Sequence, residues 1–385
     1  MFKRSLENHL PKSSFFLFGP RQVGKSTLLK TINANLTVDL LNPESQLAYN
    51  KNPNLLLQQA DALPKSSTII IDEVQKVPRL LDVIHSRMEK SPSLRFVLCG
   101  SSARKLRHGS SNLLGGRAVY RSMHPLTMDE LGSNFRLPLV LHYGSMPKVY
   151  TLLLENKTDQ ARDLLRAYTI AYLNEEIKAE ALVRHLSGFQ NFLDIAAAQF
   201  AEQINFSSVS RECQVALSTV REYYSILEDT LIGFFLFPYL KSVRKRMSHS
   251  PKFFFFDNGV TRSILGTLRD ENNSIQQGRL FEQWVIQELM RLNDYHQLDW
   301  KFNFWRTSHG AEVDLLVSRG ASILYAVECK STPHVSMSDL TGLKSFHSEY
   351  PNVPCFLVCP VDHPRVIDFV RVVAPHELMN TLKNI

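Results

Sequence analysis

Up to about residue 145, hydrophobic residues come in short solid blocks: Phe15–Phe18, 36–41, 68–71 and 94–98. Blocks of this length, closed off by Gly, Pro or charged residues, are strands buried on both faces, as parallel sheets require. Between them, 42–63 and 78–90 repeat their apolar residues with helical spacing. Strands alternating with helices predict an α/β section with a doubly wound parallel sheet, whose ligand site lies at the carboxyl ends of the strands. From about 146 to 265 the pattern turns helical, with amphipathic stretches at 162–183 and 189–203. A short helix from Phe206 to about Gln214, a turn at 215–217 and a second helix from Thr219 to Glu228, capped by Ser218, follow. Two apolar strands at 231–239 and 252–256 then form a hairpin. A helix–turn–helix followed by a hairpin is a winged helix. After 275 come a helix with Phe281, Val285 and Leu289 on one face, and strands at 302–305, 311–317 and 324–330. The expected domains are therefore 1–145, 146–265 and 266–385.

The first strand leads into the densest chemistry in the chain, FFLFGPRQVGKSTLLK. Gly19, Pro20, Arg21, Gln22, Val23, Gly24, Lys25, Ser26 and Thr27 fit G-x-x-x-x-G-K-[ST] between a buried strand and a helix. Only backbone N–H groups crowd closely enough around a phosphate chain, and glycines clear the approach and permit the turn. The helix that starts near Lys25 turns its N-terminal dipole toward the β-phosphate. Lys25 is expected to reach the β- and γ-phosphates, and the Ser26 hydroxyl to ligate Mg²⁺. Thr68 to Ile71 followed by Asp72 and Glu73 has the form of a Walker B strand. There Asp72 holds Mg²⁺ and Glu73 polarises the attacking water as general base. Arg117, after the pair Gly115-Gly116, is a candidate guanidinium for the γ-phosphate, in its own subunit or as a finger to a neighbour in a homo-oligomer. Thr127 or Asp129 lies near a helix N-terminus.

Composition narrows the classes further. A chain of 385 residues with 44% hydrophobic and 21% charged residues is ordinary for a globular protein of two or three domains. Net charge +7 and a pI near 9.1 permit nucleic-acid binding without establishing it. The five cysteines are scattered, and Cys355-x-x-x-Cys359 lacks the second ligand pair of a zinc site. Cys99 and Cys329 read as small buried hydrophobes. With no apolar signal core near residue 1 and no stretch long enough to span a bilayer, the expected setting is the cytoplasm, away from membranes.

Two later features carry candidate chemistry. The wing expected at 241–252 holds Lys241, Arg244, Lys245 and Arg246 and no acid, and the helix before it carries Arg221. Both suit a DNA phosphate backbone. In the last section Glu282 lies on the helix, Asp314 and Glu328 on neighbouring strands, and Lys330 two residues beyond Glu328 on the same face. Asp314 and Glu328, with Glu282, are expected to share a metal, and Lys330 to polarise a water or a scissile phosphate. This constellation resembles the PD-(D/E)xK nuclease fold. His309, His334 and His363 have no partner pattern and receive no role.

Taken together, GPRQVGKST, IIIDEVQKVP, VLCGSSARKL, LLGGRAVYRSMHPLTMDEL, YYSILEDTLIGFFLFPY, PKFFFFDNGV, GRLFEQWV, EVDLLV and AVECKS resemble a family of prokaryotic AAA-type P-loop ATPases. Its C-terminal half is a domain of unknown function with a restriction-endonuclease-like end. The resemblance implies ATP binding and hydrolysis, and it places a γ-phosphate sensor at Ser101 or Ser102, at the tip of the strand beside Walker B. It supplies no physiological substrate. An ATPase coupled to a DNA-binding module, an ATP-gated DNA nuclease and a nucleotide-switched interaction platform are the three functions it leaves.

Overall fold

The computed structural model describes residues 2–90, 93–101, 113–173, 186–240 and 250–383. The chain forms two compact units. The first takes in 1–126, 146–148 and 226–232, and the second 127–145, 149–225 and 233–385.

In the first unit β1 (Phe15–Phe18), β2 (Leu36–Asp39), β3 (Thr68–Asp72), β4 (Arg95–Gly100) and β5 (Val119–Ser122) form a wholly parallel sheet in the order β2-β3-β4-β1-β5. Every residue of β1 and β3 is buried, which is why neither alternates in sequence. Phe16, Phe18, Ile69, Ile71, Phe96 and Leu98 pack with apolar residues of α2 (Pro43–Lys51), α3 (Leu55–Asp61) and α4 (Leu80–Lys90). α1 (Lys25–Leu29) follows the loop after β1. The helical stretch expected at 42–63 is broken in two because Pro53 disfavours helical backbone at Asn52, where φ is −138°. β4 lies between β1 and β3, so the tips of all three converge at one edge.

α5 (Phe206–Cys213) is joined by a short turn to α6 (Leu217–Asp229), which counts with the second unit up to Ser225, and an antiparallel hairpin of β6 (Gly233–Pro238) and β7 (Lys252–Phe255) follows in the second unit. The earlier helices differ from expectation. One runs Thr158–Ala167 and passes into a π-helical turn at Tyr168–Leu173, and the rest of the stretch expected to 183 lies outside the described residues. The next is Leu186–Ala198 and stops short of 203, because Ala201 takes a positive φ of 62° and donates its N–H to Phe253 O at 3.0 Å. Phe192 of that helix packs edge-on against Tyr224 of α6 at 4.7 Å.

The hairpin is not a separate wing. An eight-stranded mixed sheet runs β12-β13-β11-β10-β9-β8-β6-β7, with β8 (Lys301–Arg306), β9 (Glu312–Arg319), β10 (Ser322–Cys329), β11 (Cys355–Val358), β12 (Arg365–Ile367) and β13 (Val370–Val373). β6 pairs with β7 over Gly233 to Leu236 and then with β8 over Phe237 and Pro238. Pro238, which has no N–H to give, falls after the pairing with β7 has ended. Asn303 Nδ2 secures the switch with a 3.1 Å bond to Phe237 O. The sheet therefore runs through the boundary expected at 265. α7 (Ser274–His296) carries Glu282 and a row of buried polar residues, Gln283, Gln287, Glu288 and Arg291. The basic segment Lys241, Arg244, Lys245 and Arg246 lies outside the described residues, as does Ser102.

Candidate functional site

The phosphate loop is built by two different glycine requirements. A Cβ on Gly19 would stand 2.2 Å from Met123 O, so this glycine lets the segment after β5 pass over the loop. At Gly24 there is room for a side chain, and the constraint is its φ of 97°. Gln22 also has positive φ, 63°. The first bond of α1 runs from Leu28 N to Gly24 O at 3.0 Å, so the N–H groups of Lys25, Ser26 and Thr27 are the unpaired donors that open the helix. The buried Arg4, silent in the sequence pattern, clamps the loop from behind. Its Nη1 donates to Val23 O and its Nη2 to His124 O, both at 2.6 Å. Arg21 is half-buried and Thr27 exposed.

Lys25 is only 6% exposed, and its ammonium donates to Gly19 O at 2.7 Å and Pro20 O at 2.8 Å. The Ser26 hydroxyl donates to Asp72 Oδ2 at 2.8 Å, which brings the loop and the Walker B strand together. Hydroxyl and carboxylate are the oxygen donors that a hard divalent cation takes, so this pair fits Mg²⁺. Asp39, opposite Asp72 in the strand register, lines a cavity of about 740 Å³ shared with Ser26 and Asp72. Alternation within one strand gave no sign of it.

Glu73 stands at the end of β3 in left-handed backbone, φ 57° and ψ 44°. A non-glycine residue held there stores strain. Its carboxylate accepts from the amide of Gln75, and the same Nε2 reaches Ser101 Oγ at 3.2 Å. Gln75 thus ties the expected general base to the tip of β4, a link that sequence spacing did not show. Ser101 is 2% exposed. Burial pushes the Cys99 thiol up beside this cluster, which keeps it inert.

Arg117 is elsewhere. β5 runs parallel to β1 with Val119 opposite Phe15 and Ser122 opposite Phe18, so Arg117 lies at the amino edge of the sheet. The loop leaves β1 at the other edge, roughly 13 Å away at 3.3 Å per residue. Arg117 Nη2 is 2.8 Å from Glu89 Oε1, and its Nη1 is 2.6 Å from His85 Nε2. Arg117 therefore stands apart from the phosphate loop of its own subunit. Thr127, in the second unit, caps the helix Met128–Leu131 in a capping box with Glu130, and Asp129 pairs with Lys383.

The C-terminal cluster gathers the four residues expected and adds two. Lys252 of β7, 4% exposed, lies 2.9 Å from Glu282 Oε1 and 2.7 Å from Glu312 Oε1. Glu312 also takes Arg306 at 3.1 Å. Lys330 Nζ is 3.1 Å from Glu328 Oε1, and Asp314 Oδ2 accepts from Cys329 N at 2.8 Å. Burial raises all three expected carboxyls, and it outweighs the pull of Lys252 on Glu282, which is pushed up to about 7. Among the described residues no three carboxylate, His or Cys groups are arranged to hold a metal ion. The three carboxylates do not fit a shared metal as they stand, because an ammonium already occupies the Glu282 side. Lys252 was missed because it sits in an apolar hairpin strand, far in sequence from its partners.

Residues 11–132 match the family model described as an AAA domain. This section is an AAA-type ATPase-like domain. Beyond the AAA-type domain, 135–271 and 277–378 match two models described as domains of unknown function, DUF8612 and DUF4143. Two mycobacterial proteins, titled Uncharacterized protein Mb2031c from Mycobacterium bovis and Uncharacterized protein Rv2008c from Mycobacterium tuberculosis, are each 27% identical over 338 residues, 85% of this chain and 73% of theirs. Among solved structures, the Aeropyrum pernix ORC2 protein gives a TM-score of 0.25 at 13% identity, covering 69% of this chain and 91% of its own. A DNA polymerase III gamma subunit-related protein of Thermotoga maritima gives 0.26 at 12%, covering 75% and 100%. Scores this low leave the topology above to stand by itself. No helix among the described residues is long and apolar enough to cross a membrane.

Proposed function

We propose that the AAA-type domain binds ATP with Mg²⁺ and hydrolyses it, and that nucleotide state governs what the second unit, a winged-helix and nuclease-like module, does with DNA. The observation that carries this reading is the Ser26–Asp72 bond at 2.8 Å beside the buried Lys25. Lys25 and the N–H groups that open α1 hold the β- and γ-phosphates. Ser26 and Asp72 hold the cation, which neutralises charge developing on the transferred phosphoryl group. Glu73, aimed by Gln75, takes the proton of the attacking water, and Ser101 stands where the γ-phosphate is sensed. Binding of a fluorescent ATP analogue and phosphate release test this. Lys25→Ala should lose tight ATP binding, and Glu73→Gln should bind but not turn over. Normal hydrolysis by Glu73→Gln would remove the general-base assignment.

A second reading is favoured by Lys252. With its ammonium between Glu282 and Glu312, the nuclease-like cluster is largely neutralised from within, which suits a DNA-binding platform that does not cut. In that reading the chain is a cytoplasmic, nucleotide-switched platform, and ATP sets its oligomeric state. Plasmid and linear DNA incubated with Mg²⁺ or Mn²⁺, with and without ATP, should stay intact. Cleavage by the wild type that is lost in Glu328→Ala/Lys330→Ala would restore the ATP-gated nuclease, for instance in genome defence.

A further inference from the structure

The second unit holds a cavity of about 630 Å³ that none of the chemistry above uses. It opens where the start of α5, the exposed side of α6 and one face of β6 meet. Phe206, Phe235 and Phe237 line it, and all three are half-buried. Phe235 and Phe237 are two apart on β6 and share a face, with ring centroids 5.7 Å apart, while Leu236 between them points into the core. Tyr224, fully buried behind them, braces two of the rings from α6, edge-on to Phe206 at 5.7 Å and tilted to Phe235 at 5.6 Å. The rings are thus preset and keep part of their surface in water.

One charged side chain lines the cavity among the described residues, and it is Arg221. Its guanidinium lies over the Phe206 ring at 5.5 Å, it is exposed, and no carboxylate pairs with it among the described residues. Among the described residues no acid lines the cavity. Gln203 and Ser250 add polar groups at its rim, with Gln203 Oε1 taken by Arg306 at 3.0 Å. The nine residues that connect Leu240 to Ser250 add four cations to the local sequence and no acid. Half-exposed aromatic rings and an unpaired guanidinium select a planar aromatic group joined to an anion. A volume of this size is in the range of sites that enclose a small organic group. Bases within a duplex keep their faces covered by their neighbours, whereas an unpaired strand offers both base face and phosphate.

We propose that this cavity receives an unpaired base of single-stranded nucleic acid, stacked against Phe235 and Phe237, with the adjoining phosphate on Arg221. The proposal shares with the reading above the second unit as the receiver of nucleic acid, and it depends neither on ATP turnover nor on the chemistry at Glu328.

The test uses the full chain and fluorescein-labelled dT20, a mixed 20-mer strand and the matching duplex, followed by anisotropy at fixed salt. Single strands should bind at least about 10-fold tighter than the duplex. Stacking is worth about 1–3 kcal/mol per base, so Phe235→Leu and Phe237→Leu, which keep an apolar side chain but remove the ring, should each weaken dT20 by about 5- to 150-fold. The exposed Arg221→Ala should weaken dT20 and flatten its salt dependence, with an unchanged melting temperature. All binding is measured without nucleotide, and phosphate release is assayed separately, so failure of the ATPase reading and failure of this one are separable. Equal affinity for strand and duplex would overturn the proposal. So would ring variants that fold and bind dT20 unchanged, or an aspartate-rich aromatic peptide that outcompetes dT20.

Discussion

Arg4 shows how much of the loop after β1 depends on a residue outside its motif. Two carbonyls, those of Val23 and His124, point at one planar fork, and the fork fixes the spacing between the phosphate loop and the segment after β5. Arg4→Ala leaves both without their donor. Each unsatisfied buried group costs about 1–3 kcal/mol, part of which water recovers. The expected outcome is a stability loss of about 2 kcal/mol in a denaturant melt and a several-fold rise in KM for ATP, with a smaller change in kcat. Arg4→Lys should not restore it, because a single ammonium cannot serve both directions. Glu73 presents the complementary case. Its left-handed backbone is costly, and the Gln75 amide that receives its carboxylate is what turns that conformation toward Ser101.

At the level of elements, β7 carries the buried ammonium, and α7 and β9 carry its partners. The folded Glu282 carboxyl, pushed up to about 7 from 4.5, keeps a proton that the unfolded chain has already released. Its contribution is therefore greatest at low pH and fades as pH rises through about 7, by on the order of 3 kcal/mol. Thermal melts at pH 5 and pH 7.5 should show that decline in the wild type, and Glu282→Gln should flatten it. Lys252→Met should also destabilise, most at pH 7.5, since it removes the ammonium from Glu282 and leaves Glu312 with Arg306 alone. These elements also mark the limit of what the sequence discloses. The strand–loop–helix at Phe15 to Leu29 and the strand ending in Asp72-Glu73 are legible because local spacing alone defines them. Glu328 and Lys330 are legible as a pair because strand alternation puts them on one face, and Asp314 and Glu282 are legible as acids on the preceding strand and helix. Lys252 and the change of partner along β6 are not, because both are decided by which distant strand comes to lie alongside. Pro53 and the reversal at Ala201 cut the expected helices short, one by a local rule visible in the sequence and the other by a bond to Phe253.

Across the whole molecule, position decides what Arg117 can do. At the amino edge of the sheet, paired to Glu89 and His85, it lies away from Lys25 and the loop after β1. Arg117→Ala should therefore leave ATP affinity measured on dilute protein unchanged. If the residue serves a neighbouring copy, turnover per chain should rise with protein concentration in the wild type and stay flat in the variant. The second unit has its own long reach. Residues 127–145 belong to it, yet Ser145 N bonds Asp257 across 112 positions, Met128 N bonds Glu288 across 160, and Asp129 pairs with Lys383 across 254. On the ribosome this stretch emerges early and must wait for partners that have not been made. At about 5–20 residues per second the wait for Lys383 is on the order of ten seconds or more. Through that interval the faces that Met128, Leu131 and Val140 bury in the folded chain lack those late partners, which exposes this stretch to aggregation during synthesis.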